Sequence, residues 1–225
     1  MGNRAYLLAG TDCQLFEANN SLPLFWLLGA LPQLPAKQQA IASLTAPQLE
    51  KFAEEEAYEE AFSTWFTENL VGEIQLASDN YLKNLEDNRS YIDSLYPLLS
   101  PVYEEFVHVI QQQRATDATV PIIIDYTETI NFYSDYLEFY DELLALCTHV
   151  AKQQQTNWLY PKDPLGSAVG TDQYANHAGQ PMFSIDSYQQ LNSQLITAFN
   201  AAEKVADRQQ QPSLFQKFRQ WWSKS

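Results

Sequence analysis

The sequence is short of the residues from which most enzyme sites are built. It contains seven glycines, two cysteines and three histidines in 225 residues. So little glycine argues against a glycine-rich nucleotide fold and against a strand-and-turn-rich barrel. No GxxxxGK[ST] or GxGxxG run is present to cradle phosphate; residues 166–170, GSAVG, are a lone short match without a convincing strand before them. No GxSxG elbow surrounds a serine, and no small-residue turn surrounds either cysteine. His108, His149 and His177 are scattered, with no HxxxH or CxxC spacing. Cys147 and His149 are two residues apart, which on a helix places them on different faces. No metal and no cofactor is expected. Cys13 and Cys147 read as reduced small hydrophobes, because a chain of this length needs no staple.

Positive charge is also scarce. Thirteen Lys and Arg face 28 Asp and Glu, for a net charge of −15. Such a surface repels a phosphate backbone and attracts a basic protein, so no nucleic-acid partner is expected. Long apolar runs are lacking too. Residues 22–31 make the best one, about ten residues, too short to span a bilayer. Met1-Gly2-Asn3-Arg4 is followed by only a short apolar run, which is not a signal peptide. The expected location is cytoplasmic, and a membrane partner is not expected.

What the chain has in quantity is aromatic side chains, 13% of residues, within a hydrophobic fraction of 45%. A chain this long buries roughly 70% of its unfolded surface, enough for one core. The pattern predicts a mainly helical α+β fold: a small sheet that includes an N-terminal β-hairpin, packed against several helices. Residues 4–9 and 13–17 read as the hairpin, turning at Gly10-Thr11-Asp12. Asn19-Asn20-Ser21 offers helix caps with Pro23 in the first turn, and residues 22–30 predict a helix buried all round. Pro32 and Pro35 predict a loop. Thr45-Ala46-Pro47-Gln48 predicts a capping box opening a glutamate-rich helix. One helix is expected over 78–96, another from Pro101 with a loop over 111–119, a strand over 120–126, and the longest helix over 128–153. Residues 157–180 read as a long irregular loop, followed by a short strand at 182–185 and a helix capped by Asp186. Residues 1–208 form the expected globular domain; 209–225 are a linker and a C-terminal amphipathic aromatic and basic helix.

Three regions are candidates for function. The first is acidic: Glu54, Glu55, Glu56, Glu59 and Glu60 repel one another at i,i+4 spacing, so packing through Phe52, Phe62, Trp65 and Phe66, or a basic partner, must compensate. Glu55, Glu59, Glu138 and Glu142 are the partner-binding candidates among the carboxylates. The second is the 157–180 loop, with Trp158, Tyr174 and His177. The third is the tail, where Leu214, Phe215, Phe218, Trp221 and Trp222 line up beside Lys217, Arg219 and Lys224. Phe218, Trp221 and Trp222 are its candidate contacts, with the tail's own acidic body, a partner's groove or anionic lipid as the surfaces it fits.

Asn3, Arg4, Tyr6, Asn20, Leu22, Pro23 and Trp26 carry a resemblance over the first thirty residues. They resemble the opening of a group of uncharacterised bacterial proteins that begin Met-small-Asn-Arg and carry an Asn-x-Leu-Pro-x-x-Trp-like helix start. That group is similar in style to the immunity proteins encoded beside polymorphic toxins. The resemblance implies a non-catalytic acidic protein that binds and neutralises a basic toxin domain. An enzyme with a site near the 157–180 loop, and an adaptor using its C-terminal helix, are the alternative expectations.

Overall fold

The computed structural model describes residues 3–133, 135–170 and 185–210. Strands β1 (Arg4–Ala9) and β2 (Cys13–Asn19) form the predicted antiparallel hairpin, with a register shift between Leu7 and Leu8. Its turn needs Gly10, which sits at φ +62, in the left-handed region that other residues adopt at a cost. Strands β3 (Glu73–Ala77) and β4 (Pro121–Asp125) complete a four-stranded antiparallel sheet in the order β2-β1-β4-β3. β4 is central, and its Ile122, Ile123 and Ile124 are buried, as a β-branched run predicts. Pro121 sits at the strand's first position, where its missing N–H costs no ladder bond.

Helix α1 (Leu24–Leu28) is the centre of the core. Leu24, Phe25, Trp26, Leu27 and Leu28 are all fully enclosed, each such side chain contributing about 1.5–3 kcal/mol from burial. A helix buried on every side must still satisfy its terminal carbonyls. Helix α4 (Ser78–Asp87) and the residue after it do this. The Tyr81 hydroxyl donates to Trp26 O at 3.0 Å, Asn84 Nδ2 to Gly29 O at 2.7 Å, and Asn88 Nδ2 to Leu28 O at 3.0 Å. Tyr81 lies so close that a Cβ on Gly29 would meet its ring at 2.3 Å.

Asn20 does not cap α1. It adopts φ +55 and clasps the open end of the hairpin, accepting from Asn3 N at 3.0 Å and donating its own N–H to Asn3 O at 2.7 Å. Pro23 is the residue before α1, with no side-chain cap. Pro32 and Pro35 do not mark a loop. Each stands in the first turn of a helical segment, Leu31–Gln33 and α2 (Leu34–Ala42), where proline is tolerated. The Thr45 capping box caps nothing: residues 45–48 are irregular, and α3 (Glu55–Glu68) starts ten residues later.

The helix predicted over 78–96 is two, α4 and α5 (Arg89–Leu95), broken at Asn88. Helix α6 (Ser100–Thr116) runs through most of the predicted 111–119 loop and buries Gln113. Helix α7 (Tyr136–Ala151) is shorter than the 128–153 expected. Asp135 caps it, accepting from Leu137 N at 2.8 Å, and Glu128 lies before it, accepting from Arg4 N at 2.8 Å. Residues 164–169 of the predicted loop are a short buried helix, α8 (Pro164–Val169). Helix α9 (Ile185–Gln210) is the longest of the described elements, and its predicted cap, Asp186, lies within it. The fold is thus α+β and mainly helical. Among the described residues no helix is long and apolar enough to cross a membrane.

Candidate functional site

Helix α3 stands apart in how it is held. Phe66 is its one buried residue. Tyr58, Phe62, Trp65 and Phe66 share a face by their i, i+4, i+7, i+8 spacing. They build a row of rings: Phe52 to Tyr58 at 5.7 Å between centroids, Tyr58 to Phe62 at 5.9 Å, and Phe62 to Trp65 at 5.5 Å. Tyr136, at the start of α7, joins it at 5.6 Å from Trp65 and 6.5 Å from Phe62. Phe52, Tyr58, Phe62, Trp65 and Tyr136 are all only half-buried. The indole N–H of Trp65 and the hydroxyls of Tyr58 and Tyr136 make no hydrogen bond among the described residues. Desolvation raises the Tyr136 phenol, with Asp135 and Tyr58 adding to the shift.

Carboxylates surround this row. Residues 49–68 hold seven glutamates and one lysine. Glu55, Glu56, Glu59 and Glu60 are exposed and form no ion pair among the described residues. On the helix wheel Glu55 and Glu59 flank the aromatic face, whereas Glu56 and Glu60 turn away from it.

Both ends of the segment expose large apolar side chains, Leu49 at 51% and Leu70 at 43%. Leu70 ends α3 in a Schellman turn, in which Val71 N donates to Phe66 O at 3.0 Å and Leu70 N to Thr67 O at 3.0 Å. The turn needs a left-handed residue, normally glycine, and Leu70 fills it at φ +51. A leucine held there costs roughly 1–2 kcal/mol, and its side chain is not compensated by burial.

The other predicted contacts are distributed differently. Glu138 and Glu142 are exposed, one turn apart on α7. Two residues on from Tyr136, Glu138 does not share its face. Glu142 accepts from the Tyr133 hydroxyl at 2.6 Å. The structure therefore splits the four glutamates, placing Glu55 and Glu59 beside the ring row and Glu138 and Glu142 on another surface. Trp158 is a strut: half-buried against the core, it donates its indole N–H to Leu22 O at 2.6 Å. Ser167 is held by Tyr160 N at 2.8 Å and by its own bond to Asp163 O at 2.9 Å. Tyr174, His177, Phe218, Trp221 and Trp222 lie outside the described residues.

Inside the core, burial favours neutral forms. It raises the Tyr140 phenol to about 12 and the Cys147 thiol to about 11, and it pushes Tyr81 and Tyr126 well up. These are groups held protonated, the opposite of an activated nucleophile. Both cysteines are free. No group of three or more His, Cys, Asp or Glu is placed to hold a metal ion among the described residues.

Tyr58, Tyr136 and Leu70 are the site residues that sequence reasoning missed. The spacing of Tyr58 with Phe62 and Trp65 signals its place; nothing local signals that Tyr136 joins them from another helix. Comparison with protein-family models, with curated proteins and with solved structures found no match.

Proposed function

We propose that this chain is a non-catalytic protein-binding protein that docks a basic partner on α3, and that the partner is a toxin domain which it neutralises as an immunity protein does. The observation that carries the reading is the combination on α3: half-buried rings whose polar atoms bond no other described residue, flanked by Glu55 and Glu59, which pair with no described cation, and ended by an exposed, strained Leu70. Aromatic side chains are the usual anchors of protein interfaces, and a carboxylate rim speeds encounter with a basic surface. Strain retained without burial is better explained by a contact made in a complex than by the fold itself. The net charge of −15 and the N-terminal resemblance favour a basic toxin as that partner. Co-expression with the product of the adjacent gene tests it. The two proteins are expected to copurify at one to one, and this chain is expected to restore growth to cells making the other. Failure to bind or to protect would overturn the reading.

A further inference from the structure

We propose that the outer edge of β3 is a docking site that takes an extended, basic segment of another protein as a further strand of the sheet. In an antiparallel pair, directly opposite residues alternate between those that exchange backbone bonds and those that do not. Tyr126 N donates to Gly72 O at 2.8 Å, and the same register sets Ile74 against Ile124 and Leu76 against Ile122. Ile74 and Leu76 therefore bond β4, while Glu73, Gln75 and Ala77 turn their backbone groups away from it. Two of those outward groups are taken. Glu73 N donates to Leu70 O at 3.1 Å, and Ala77 is the N-cap residue of α4, so its carbonyl belongs to that helix. Glu73 O, Gln75 N, Gln75 O and Ala77 N remain, and they bond no other described residue. Acceptor, donor, acceptor and donor in that order are what one extended strand satisfies.

The two edges of the sheet are treated differently. At β2, α8 leads into Gly170, which comes so close that a Cβ there would meet Glu17 O at 2.6 Å. At β3, no described strand lies beyond the edge, and Gln75 and Ala77 are exposed. Open edges pair with strands they meet, so proteins guard them with short strands and charge. β3 has both, being five residues long and carrying Glu73. That charge selects the occupant. Glu73 stands directly opposite Asp125, on the same face of the sheet. Like charges so placed repel, and neither carboxylate pairs with a described cation. Glu73 accepts from the Gln75 amide and Asp125 from Thr127 N at 3.0 Å, both neutral donors. The ammonium of Lys37, on which the charge of Glu73 acts, donates to Leu70 O at 2.7 Å instead. A lysine or arginine opposite Glu73 on an added strand offsets this repulsion, and apolar side chains alternating with it continue the buried face of Ile74 and Leu76. Main-chain bonds then supply affinity and the alternate side chains specificity. A second copy brings the same two carboxylates and a net charge of −15, which opposes pairing between copies. The inference does not depend on the partner reading, which concerns α3.

A short peptide of alternating lysine and valine tests it on the full chain, followed by amide exchange and calorimetry. Without peptide, the amides of Ile74 and Leu76 are expected to exchange slowly and those of Gln75 and Ala77 fast. With peptide bound at one to one, Gln75 and Ala77 are expected to slow at least about tenfold. The same peptide N-methylated at its lysines keeps every charge but loses the donors that face β3. It is expected to bind at least about tenfold more weakly. Gln75→Pro removes the outward N–H and leaves the bonds to β4. It is expected to abolish the slowing while Ile74 and Leu76 stay protected, and Glu73→Lys is expected to weaken binding at least about tenfold. No binding, equal binding of the methylated peptide, which means charge attraction alone, or binding that survives Gln75→Pro would overturn the proposal. So would Gln75 and Ala77 amides that are already slow without peptide. Slowness at every concentration means an edge covered by the chain itself, and slowness that grows with concentration means a second copy.

Discussion

Around α1, rings are enclosed and their polar atoms are bound. Trp26 donates to Val169 O at 3.0 Å, Tyr81 to Trp26 O at 3.0 Å, and Tyr103 to Leu85 O at 2.7 Å. Along α3, the same kinds of side chain lean on one another, half in water, with N–H and O–H groups that bond no other described residue and carboxylates at their edges. The first cluster has everything that stability asks of buried aromatics. The second has what an interface needs and a core does not. Composition cannot separate the two, since both are rich in Phe, Tyr and Trp; the fate of their polar atoms does.

Mutations that treat the two clusters alike test the difference. The largest effect is expected at Trp26. Trp26→Ala removes a fully enclosed ring and should cost about 3–5 kcal/mol in urea unfolding. A loss near that of a surface site would mean that α1 is not the centre of the core.

Alkaline pH gives the next effect. The phenol of Tyr140 donates to Val71 O at 2.7 Å and sits 2.8 Å from the Tyr126 hydroxyl. Folding raises it from 10.0 to about 12. An unfolded chain gains by ionising this phenol above pH 10 while the folded chain holds the proton. Stability is therefore full below about pH 10 and falls as pH rises toward 12, by on the order of 2 kcal/mol. Urea midpoints followed from pH 8 to 12 should show a fall to which the buried phenols of Tyr81 and Tyr126 also contribute, and Tyr140→Phe should make it shallower by about that amount. The half-buried rings of α3 contribute less.

Trp65→Ala is the counterpart of Trp26→Ala. It should cost only about 1 kcal/mol, and yet it should weaken partner binding at least tenfold by calorimetry. Leu70→Gly should separate stability from function further, since it relieves the left-handed strain. It is expected to raise stability by about 0.5–1 kcal/mol while lowering affinity. A Leu70→Gly variant that gained stability and kept full affinity would remove Leu70 from the interface.

Much of the core was legible in the sequence, because its signals are local. Gly10 in a turn, an all-apolar run after Pro23 and the isoleucines of β4 each carry their own evidence. β3 was missed although Glu73-Ile74-Gln75-Leu76-Ala77 alternates, because five residues running straight into a helix give too short a period. Pro32 and Pro35 misled because proline both breaks helices and begins them, and only the residues that follow decide. Thr45 had a capping pattern with no helix to cap. Asn88 breaks a good helical pattern because its amide is used by α1, sixty residues away in sequence. The acidic half of the α3 site was plain from Glu55 and Glu59. Of its aromatic half, Phe52, Phe62, Trp65 and Phe66 were legible as a packing face, whereas Tyr136 reaches Trp65 only through tertiary packing, and the strain at Leu70 is a property of the backbone.

The smallest effect on stability is expected from the double variant Glu55→Lys, Glu59→Lys. Both positions are exposed and pair with no described cation, so unfolding should shift by less than about 0.5 kcal/mol. The same variant supplies the most direct test of α3 as the docking face. Its association rate with the copurified basic partner should be measured as a function of ionic strength, beside the parent chain. The rate is expected to fall at least tenfold at low salt, with a shallower salt dependence. An unchanged rate and salt slope in a folded variant would contradict the assignment of α3 as that face.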